Sequence, residues 1–278
     1  MSSSTRIAFS ALYWNCVSRN PVFSATQHLP RYIQPSPHSS PHPLQKSHYW
    51  ANKRTWLNVY FIKQAWGWTT AAFLLAWATG PPSARTLARL SRWVTATGTW
   101  LLFTAWFFGP ALFDRILLAS GGECLLSLPD GSFLSLTPEY CHTRTALSPE
   151  THPALFASHS NSLTSFPSEW RTTPRLRKGH DVSGHIYLLT LSILLLAQQL
   201  GPSFALTRWS PPHAFAVIAN CVLLFLWLLA SGTTSVYFHS PQEKISGYLL
   251  GLICFAVSQI PAQLVYAWTK PAEKLHTS

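Results

Sequence analysis

Two short stretches of this chain combine residues that can move protons and hold phosphate. "GHDVSGH" sets His180, Asp181, Ser183, Gly184 and His185 against a long apolar run, and "YFHSPQEKISG" places His239 four residues ahead of Glu243. Imidazole titrates near neutrality, so two such rings can serve as nucleophile and proton donor in cleaving a phosphate ester or anhydride. The phosphoryl oxygens then need N–H groups or fixed positive charge. If Ser183 caps the helix that follows, the amides of Gly184 and His185 and the positive end of the helix dipole form an anion site. The basic residues Arg171, Arg175, Arg177 and Lys178, just upstream, can hold further phosphate charge.

Each stretch also has a plainer reading. Asp181 and Ser183 can simply satisfy the orphan N–H groups of a helix start. Ser240-Pro241-Gln242-Glu243 is a capping box with proline at the first helical position, in which Glu243 bonds the backbone of Ser240. Alternatively, Glu243 holds the His239 ring in one tautomer across one helical turn. These two roles do not exclude one another. His180 faces water or supports Asp181, and the remaining histidines, mostly in the N-terminal tail, are solvated.

The elements that must position these groups are membrane helices. Only 10% of the 278 residues are charged and 47% are hydrophobic, against about 25% charged in a soluble domain. The apolar residues fall in blocks, which predicts an all-α, polytopic bundle. About five spans are expected, near 57–79, 93–113, 186–206, 214–231 and 245–269, the last with a kink at Pro261. Tryptophans such as Trp66, Trp68, Trp100 and Trp106 are packing and interface residues.

Residues 1–55 form a Ser/Pro/His-rich tail without apolar periodicity, expected to be disordered. Its start faintly suggests a transit peptide, but the apolar stretch is short and no small-residue cleavage site is clear. Residues 56–270 hold the membrane domain, with a long polar loop at about 114–184, and 271–278 form a short tail. The loop carries seven of the nine acidic residues, and "SLPDGSFLSL" within it predicts two short strands around a turn. Cys124 and Cys141 in this loop either pair or remain free thiols. The net charge of +11 is scattered and accompanies no nucleic-acid motif, so no nucleic-acid partner is expected. None of the five cysteines has CxxC spacing, which argues against a zinc site.

Positive-inside counting places Arg85, Arg89, Arg92, Arg208 and the C-terminus in the cytosol and the long loop in the lumen. An odd span count then puts the N-terminus in the lumen, against Lys46, Lys53 and Arg54. Either the rule fails here or a span is missing. One inference needs only spans three to five. His185 opens a span running one way and His239 lies between two more, so both histidines share one membrane face.

"GHDVSGHIYLL" and "YFHSPQEKISGYLLGL" closely resemble the two signature regions of the fat-storage-inducing transmembrane (FIT) family. "NVYFIKQAWGWTT" and "WFFGPALFDRILLASGGEC" are similar to stretches of its fungal branch, and the resemblance covers roughly residues 55–268. It implies a multi-pass enzyme of the endoplasmic reticulum, related to lipid phosphate phosphatases, with its active site facing the lumen. The implied activity is fatty acyl-CoA diphosphatase, releasing acyl 4'-phosphopantetheine and adenosine 3',5'-bisphosphate in support of lipid-droplet formation and phospholipid homeostasis. His185 and His239 map onto the essential histidines. Asp181, Ser183, Gly184 and Glu243 support them, and no cofactor or metal is expected. Fatty acyl-CoA is the expected partner, with diacylglycerol and triacylglycerol as further lipids; no protein partner is indicated.

The departures carry information. The family has six spans with both termini cytosolic, one more than counted here. The wider lipid phosphatases have arginine six residues before the second histidine and aspartate four after it; this chain has Thr233 and Glu243. Phosphate charge is then expected from the 171–178 run or from Arg115. Two other functions stay open: a non-catalytic protein that binds diacylglycerol or triacylglycerol, and a general lipid phosphate phosphatase.

Overall fold

A computed structural model describes residues 49–52, 54–105, 110–129, 131–156 and 169–269. The tail up to residue 48, Trp106 and residues 270–278 lie outside them. The first apolar block is helical throughout but not uniform. A π-helical turn, Leu57–Phe61, leads through a 3-10 turn, Ile62–Gln64, into α1, Ala65–Thr79, so the stretch expected as the first span is helical. Next comes α2, Leu87–Thr104, capped by Thr86, whose hydroxyl and carbonyl both accept the Arg89 amide. This helix overlaps the first part of the span expected at 93–113, and residues 106–109 of that span lie outside the described residues. The helix ends at Thr104, and Pro110, which cannot continue a helix, stands before the next one.

The chain divides into two compact units, Met1–Leu102 with Ser183–Ser278, and Phe103–Val182. The second corresponds to the polar loop. It opens with α3, Leu112–Ala119, followed by β1, Glu123–Ser127, and β2, Phe133–Leu136. These two strands form the expected antiparallel hairpin, with Leu126 opposite Leu134. Two short helices follow, α4, Pro138–Thr143, and α5, Pro153–Phe156, and then β3, Arg175–Arg177, which pairs antiparallel with β1 to give the order β2-β1-β3. Leu126, Leu128, Leu147 and Phe156 build its small core, and a Cys124–Cys141 disulfide ties β1 to α4. The two cysteines are therefore paired, the question the sequence left open. The sheet is a local addition to a helical fold.

The first unit is completed by α6, Gly184–Phe204, α7, Pro211–Tyr237, and α8, Pro241–Thr269. α7 and α8 cover their expected spans and α6 covers all but the last two residues of its own, and α8 stays helical through Pro261. Among the described residues three helices, Gly184–Phe204, Pro211–Tyr237 and Pro241–Val265, are long and apolar enough to cross a membrane. α6 is apolar on every side and sits at the centre, with Leu189, Leu191, Leu195 and Leu196 buried. α7 returns alongside α1: Trp227 Nε1 donates to Thr69 Oγ1 at 3.2 Å, and Asn220 Nδ2 to the Ala72 carbonyl at 3.0 Å. The outer faces carry Phe215, Ile218, Val222 and Phe225 on α7 and Leu249, Ile253, Ile260 and Leu264 on α8, all exposed and suited to lipid.

α6 and α8 run parallel. Their contacts advance together along both chains, from Gly247 against Ser183, through Gly251 against Thr190, to a 2.7 Å hydrogen bond from Gln198 Nε2 to Gln259 Oε1. The glycines make this approach possible. A Cβ on Gly247 would lie 2.5 Å from the Ser183 carbonyl oxygen, and one on Gly251 2.7 Å from Thr190 Cβ. Gly247 and Gly251 form a small-xxx-small pair, the pattern that lets two membrane helices bring their backbones together.

Candidate active site

The parallel pairing brings the start of α6 beside the start of α8, and each start carries one histidine motif. Ser183 is the N-cap of α6. It is fully buried, and its hydroxyl accepts the Ile186 amide at 3.4 Å. Its own amide leaves the helix and donates to the Glu243 carbonyl at 3.1 Å. Gly184 is the first helical residue, and His185, the second, is exposed at that end. The positive end of the α6 dipole therefore lies beside an accessible imidazole.

His239 sits in the turn between α7 and α8 with φ at +58°, a left-handed conformation rare for a residue with a side chain. This turn ends α7, whose last backbone bond runs from the Phe238 amide to the Thr234 carbonyl, and lets α8 start at once. Strained backbone of this kind tends to sit where geometry serves chemistry. The Ser240 amide donates to Glu243 Oε2 at 2.8 Å, while the Glu243 amide approaches Ser240 Oγ at 3.4 Å, so the capping box is formed. The same Oε2 lies 3.4 Å from His239 Nδ1. That distance is longer than a full hydrogen bond, as catalytic contacts often are without substrate. One carboxylate oxygen thus caps the start of α8 and also faces the His239 ring. Both side chains are 21% exposed.

Glu243 faces Nδ1 of His239, and a carboxylate there favours the tautomer that carries its proton on Nδ1. The site can therefore offer a tautomer-fixed imidazole, a second exposed imidazole and a helix N-terminus at one end of one bundle.

The other expected residues divide. Asp181, exposed, closes the loop unit two residues before Ser183, and the His180 amide is taken by Ser120 Oγ at 2.7 Å. The basic run is less open than its sequence suggests. Arg177 lies over the Phe133 ring at 5.2 Å from its centroid, and Lys178 pairs with Glu123 at 2.8 Å. Arg171 and Arg175 are exposed, and Arg115 donates its Nε–H to the Pro110 carbonyl at 3.0 Å. Thr233, which stands where arginine was expected, closes its hydroxyl on the Ala230 carbonyl at 2.9 Å. Sequence reasoning overlooked Gly247, and Lys244, whose Nζ lies 2.7 Å from the Ser235 carbonyl. The spacing of Gly247 and Gly251 was a visible sign of the first. A lone cation beside Glu243 was a sign of the second.

The family model described as fat storage-inducing transmembrane protein matches residues 46–212, a span that includes Ser183, Gly184 and His185. The chain belongs to the FIT family. As a FIT protein it is a multi-pass helical membrane protein. It is 28% identical over 220 residues to acyl-coenzyme A diphosphatase fit1 of Schizosaccharomyces pombe, covering 77% of this chain and 76% of that protein. It is 29% identical to acyl-coenzyme A diphosphatase FITM2 of Mus musculus, covering 76% and 71%, and 28% identical to FITM2 of Homo sapiens, covering 76% and 71%. These alignments span most of the FIT chain. No solved structure matches it.

Proposed function

We propose that this FIT protein is a fatty acyl-CoA diphosphatase of the endoplasmic reticulum membrane, with its two-histidine site facing the lumen. The single observation that carries the reading is the 3.1 Å bond from the Ser183 amide to the Glu243 carbonyl, which ties the two histidine motifs together at one end of parallel helices. The names of the relatives point to the same substrate class. The Cys124–Cys141 disulfide favours an oxidising compartment for the loop unit, in keeping with the lumen. The C-terminus is then cytosolic, because α8 carries the chain back across the membrane.

In this reading Nε2 of His239 attacks the phosphorus on the pantetheine side of the CoA pyrophosphate, with Glu243 holding Nδ1. A nitrogen–phosphorus bond forms and the anhydride phosphorus–oxygen bond breaks. The electron pair leaves with adenosine 3',5'-bisphosphate, which takes a proton from His185. His185, now neutral, then takes a proton from water as the water oxygen bonds to phosphorus and the nitrogen–phosphorus bond breaks, giving acyl 4'-phosphopantetheine, free His239 and protonated His185. Ser183 shapes the start of α6, and its first turn faces the phosphoryl oxygens with Gly184 leaving room for them. The acyl chain lies among the apolar helices. The chain's own residues supply every proton transfer.

Purified protein given oleoyl-CoA releases adenosine 3',5'-bisphosphate, and His185→Ala or His239→Ala each lowers kcat at least about 100-fold, the scale of a lost acid–base or nucleophilic group. Unchanged turnover in both variants would overturn the assignment. Faster turnover of phosphatidate than of oleoyl-CoA would move it to a general lipid phosphatase.

A further inference from the structure

The proposed chemistry needs a permanent cation near the phosphates, and the position where arginine was expected holds Thr233. From residue 183 to 269 the chain has two Lys or Arg residues, Arg208 and Lys244. Arg208 lies in the connection from α6 to α7, at the opposite end from the histidines. Lys244 is in the first turn of α8, one residue after Glu243, and is half-buried.

Its surroundings are those of a cation short of an anion. Among the described residues Lys244 forms no ion pair; the adjacent Glu243 carboxylate acts on it through space but is bonded to the Ser240 amide and faces His239. One N–H goes to the Ser235 carbonyl at 2.7 Å, an acceptor freed because the left-handed His239 ends α7. That cap needs a neutral donor only, and it leaves two of three ammonium N–H groups unused. Desolvating a charge for a cap alone is costly. The residue that accepts this bond adds a second unmet group: the Ser235 hydroxyl is buried and has no hydrogen-bond partner. A cation with spare donors and an orphaned hydroxyl thus sit on the two helix ends that flank His239.

We infer that Lys244, assisted by the Ser235 hydroxyl, binds the phosphoryl oxygens of the pyrophosphate while His239 attacks. The inference rests on the diphosphatase reading for its substrate class, but its geometry stands on the Lys244–Ser235 contact alone. Lysine acts here as a point charge that follows the moving phosphoryl group. The Ser235 carbonyl holds the ammonium in place between turnovers.

The test uses the full-length protein in detergent, with oleoyl-CoA as substrate and adenosine 3',5'-bisphosphate as a separate binding probe. Lys244→Gln keeps a donor for Ser235 and removes the charge. It should weaken probe binding and lower kcat/KM about 10- to 100-fold, the range of one charge-assisted hydrogen bond, with an unchanged unfolding midpoint. Lys244→Arg should recover most of the binding, and Ser235→Ala should lose a smaller part of it. Wild-type affinity and kcat/KM in Lys244→Gln would overturn the inference. So would loss of folding in that variant, which would make Lys244 a structural cap. If the wild-type protein binds the probe through Lys244 but does not turn over oleoyl-CoA, the diphosphatase reading falls and the phosphate site stands.

Discussion

The backbone amide of Ser183 donates to the backbone carbonyl of Glu243 across 3.1 Å, although sixty residues separate them. Neither group belongs to a catalytic side chain. The bond sets the distance between two helix starts, and each start carries one of the imidazoles, so the site's geometry rests on main-chain atoms that substitution cannot remove. What substitution can change is the packing beneath them.

Gly247 is the position where that packing is tightest. In Gly247→Ala the new methyl would stand 2.5 Å from the Ser183 carbonyl oxygen, and the helix starts must separate. The expected cost is about 1–3 kcal/mol, the usual penalty of overpacking, and activity falls with it. Gly67→Ala, where a Cβ meets nothing within 4 Å, is the control and should leave both unchanged. Thermal unfolding in detergent beside turnover measures the contrast.

Glu243 separates its two jobs under substitution. Glu243→Gln keeps an oxygen for the Ser240 amide, since glutamine also completes a capping box, but gives up the charge facing His239. Stability should change by less than about 1 kcal/mol while kcat drops about 100-fold. Glu243→Ala should lose both. An unfolding midpoint and a kcat for each variant decide the matter; equal kcat in Glu243→Gln and wild type would leave the carboxylate as a cap.

The opposite end of the bundle is held by a different device. Arg89, buried, donates to Gln199 Oε1 at 2.9 Å, to the Gln199 carbonyl at 2.8 Å and to the Ala84 carbonyl at 2.8 Å, pinning α2 to the end of α6. Arg89→Ala should destabilise the protein by about 2–4 kcal/mol, since it strands buried acceptors. Arg89→Lys should not rescue it, because an ammonium cannot reproduce the planar fork. Oleoyl-CoA turnover per folded molecule should be unchanged, as this cluster is far from the histidines along α6. Chemical denaturation combined with an active-fraction count tests both halves.

The loop unit is stapled by Cys124–Cys141, seventeen residues apart. Cys124→Ser with Cys141→Ser should cost the unit about 3 kcal/mol, as expected for a closed loop of this length. Limited proteolysis should then cut first within 103–182. Thiol alkylation of the native protein should label neither cysteine until a reductant is added.

Much of the site was legible in the chain because it is local. The His239–Glu243 spacing, the Ser240 capping box and the Ser183 cap each lie within one helical turn, where residue type and spacing decide the contact. The shared face of the two histidines followed from counting spans. What stayed hidden depends on partners distant in sequence. The Arg175–Arg177 run looked like a phosphate clamp. It is a strand because β1, some fifty residues earlier, offers it an edge; Phe133 lies under Arg177, and Glu123 pairs with Lys178 just beyond the strand. The start of α2 at Leu87, six residues before the expected span, coincides with a Thr86 cap that hydropathy alone does not report. The pairing of Cys124 with Cys141 required knowing that α4 folds back beside β1.

His239 carries a consequence of its left-handed backbone. Asparagine and glycine accept φ near +58°, whereas most other side chains resist it. His239→Asn is therefore the replacement that silences the ring without disturbing the bend, and His239→Val would report on distortion as much as on lost reactivity. For anyone seeking an inert version of this protein to trap an uncleaved lipid thioester, asparagine is the residue that keeps the corner and empties it of reactivity.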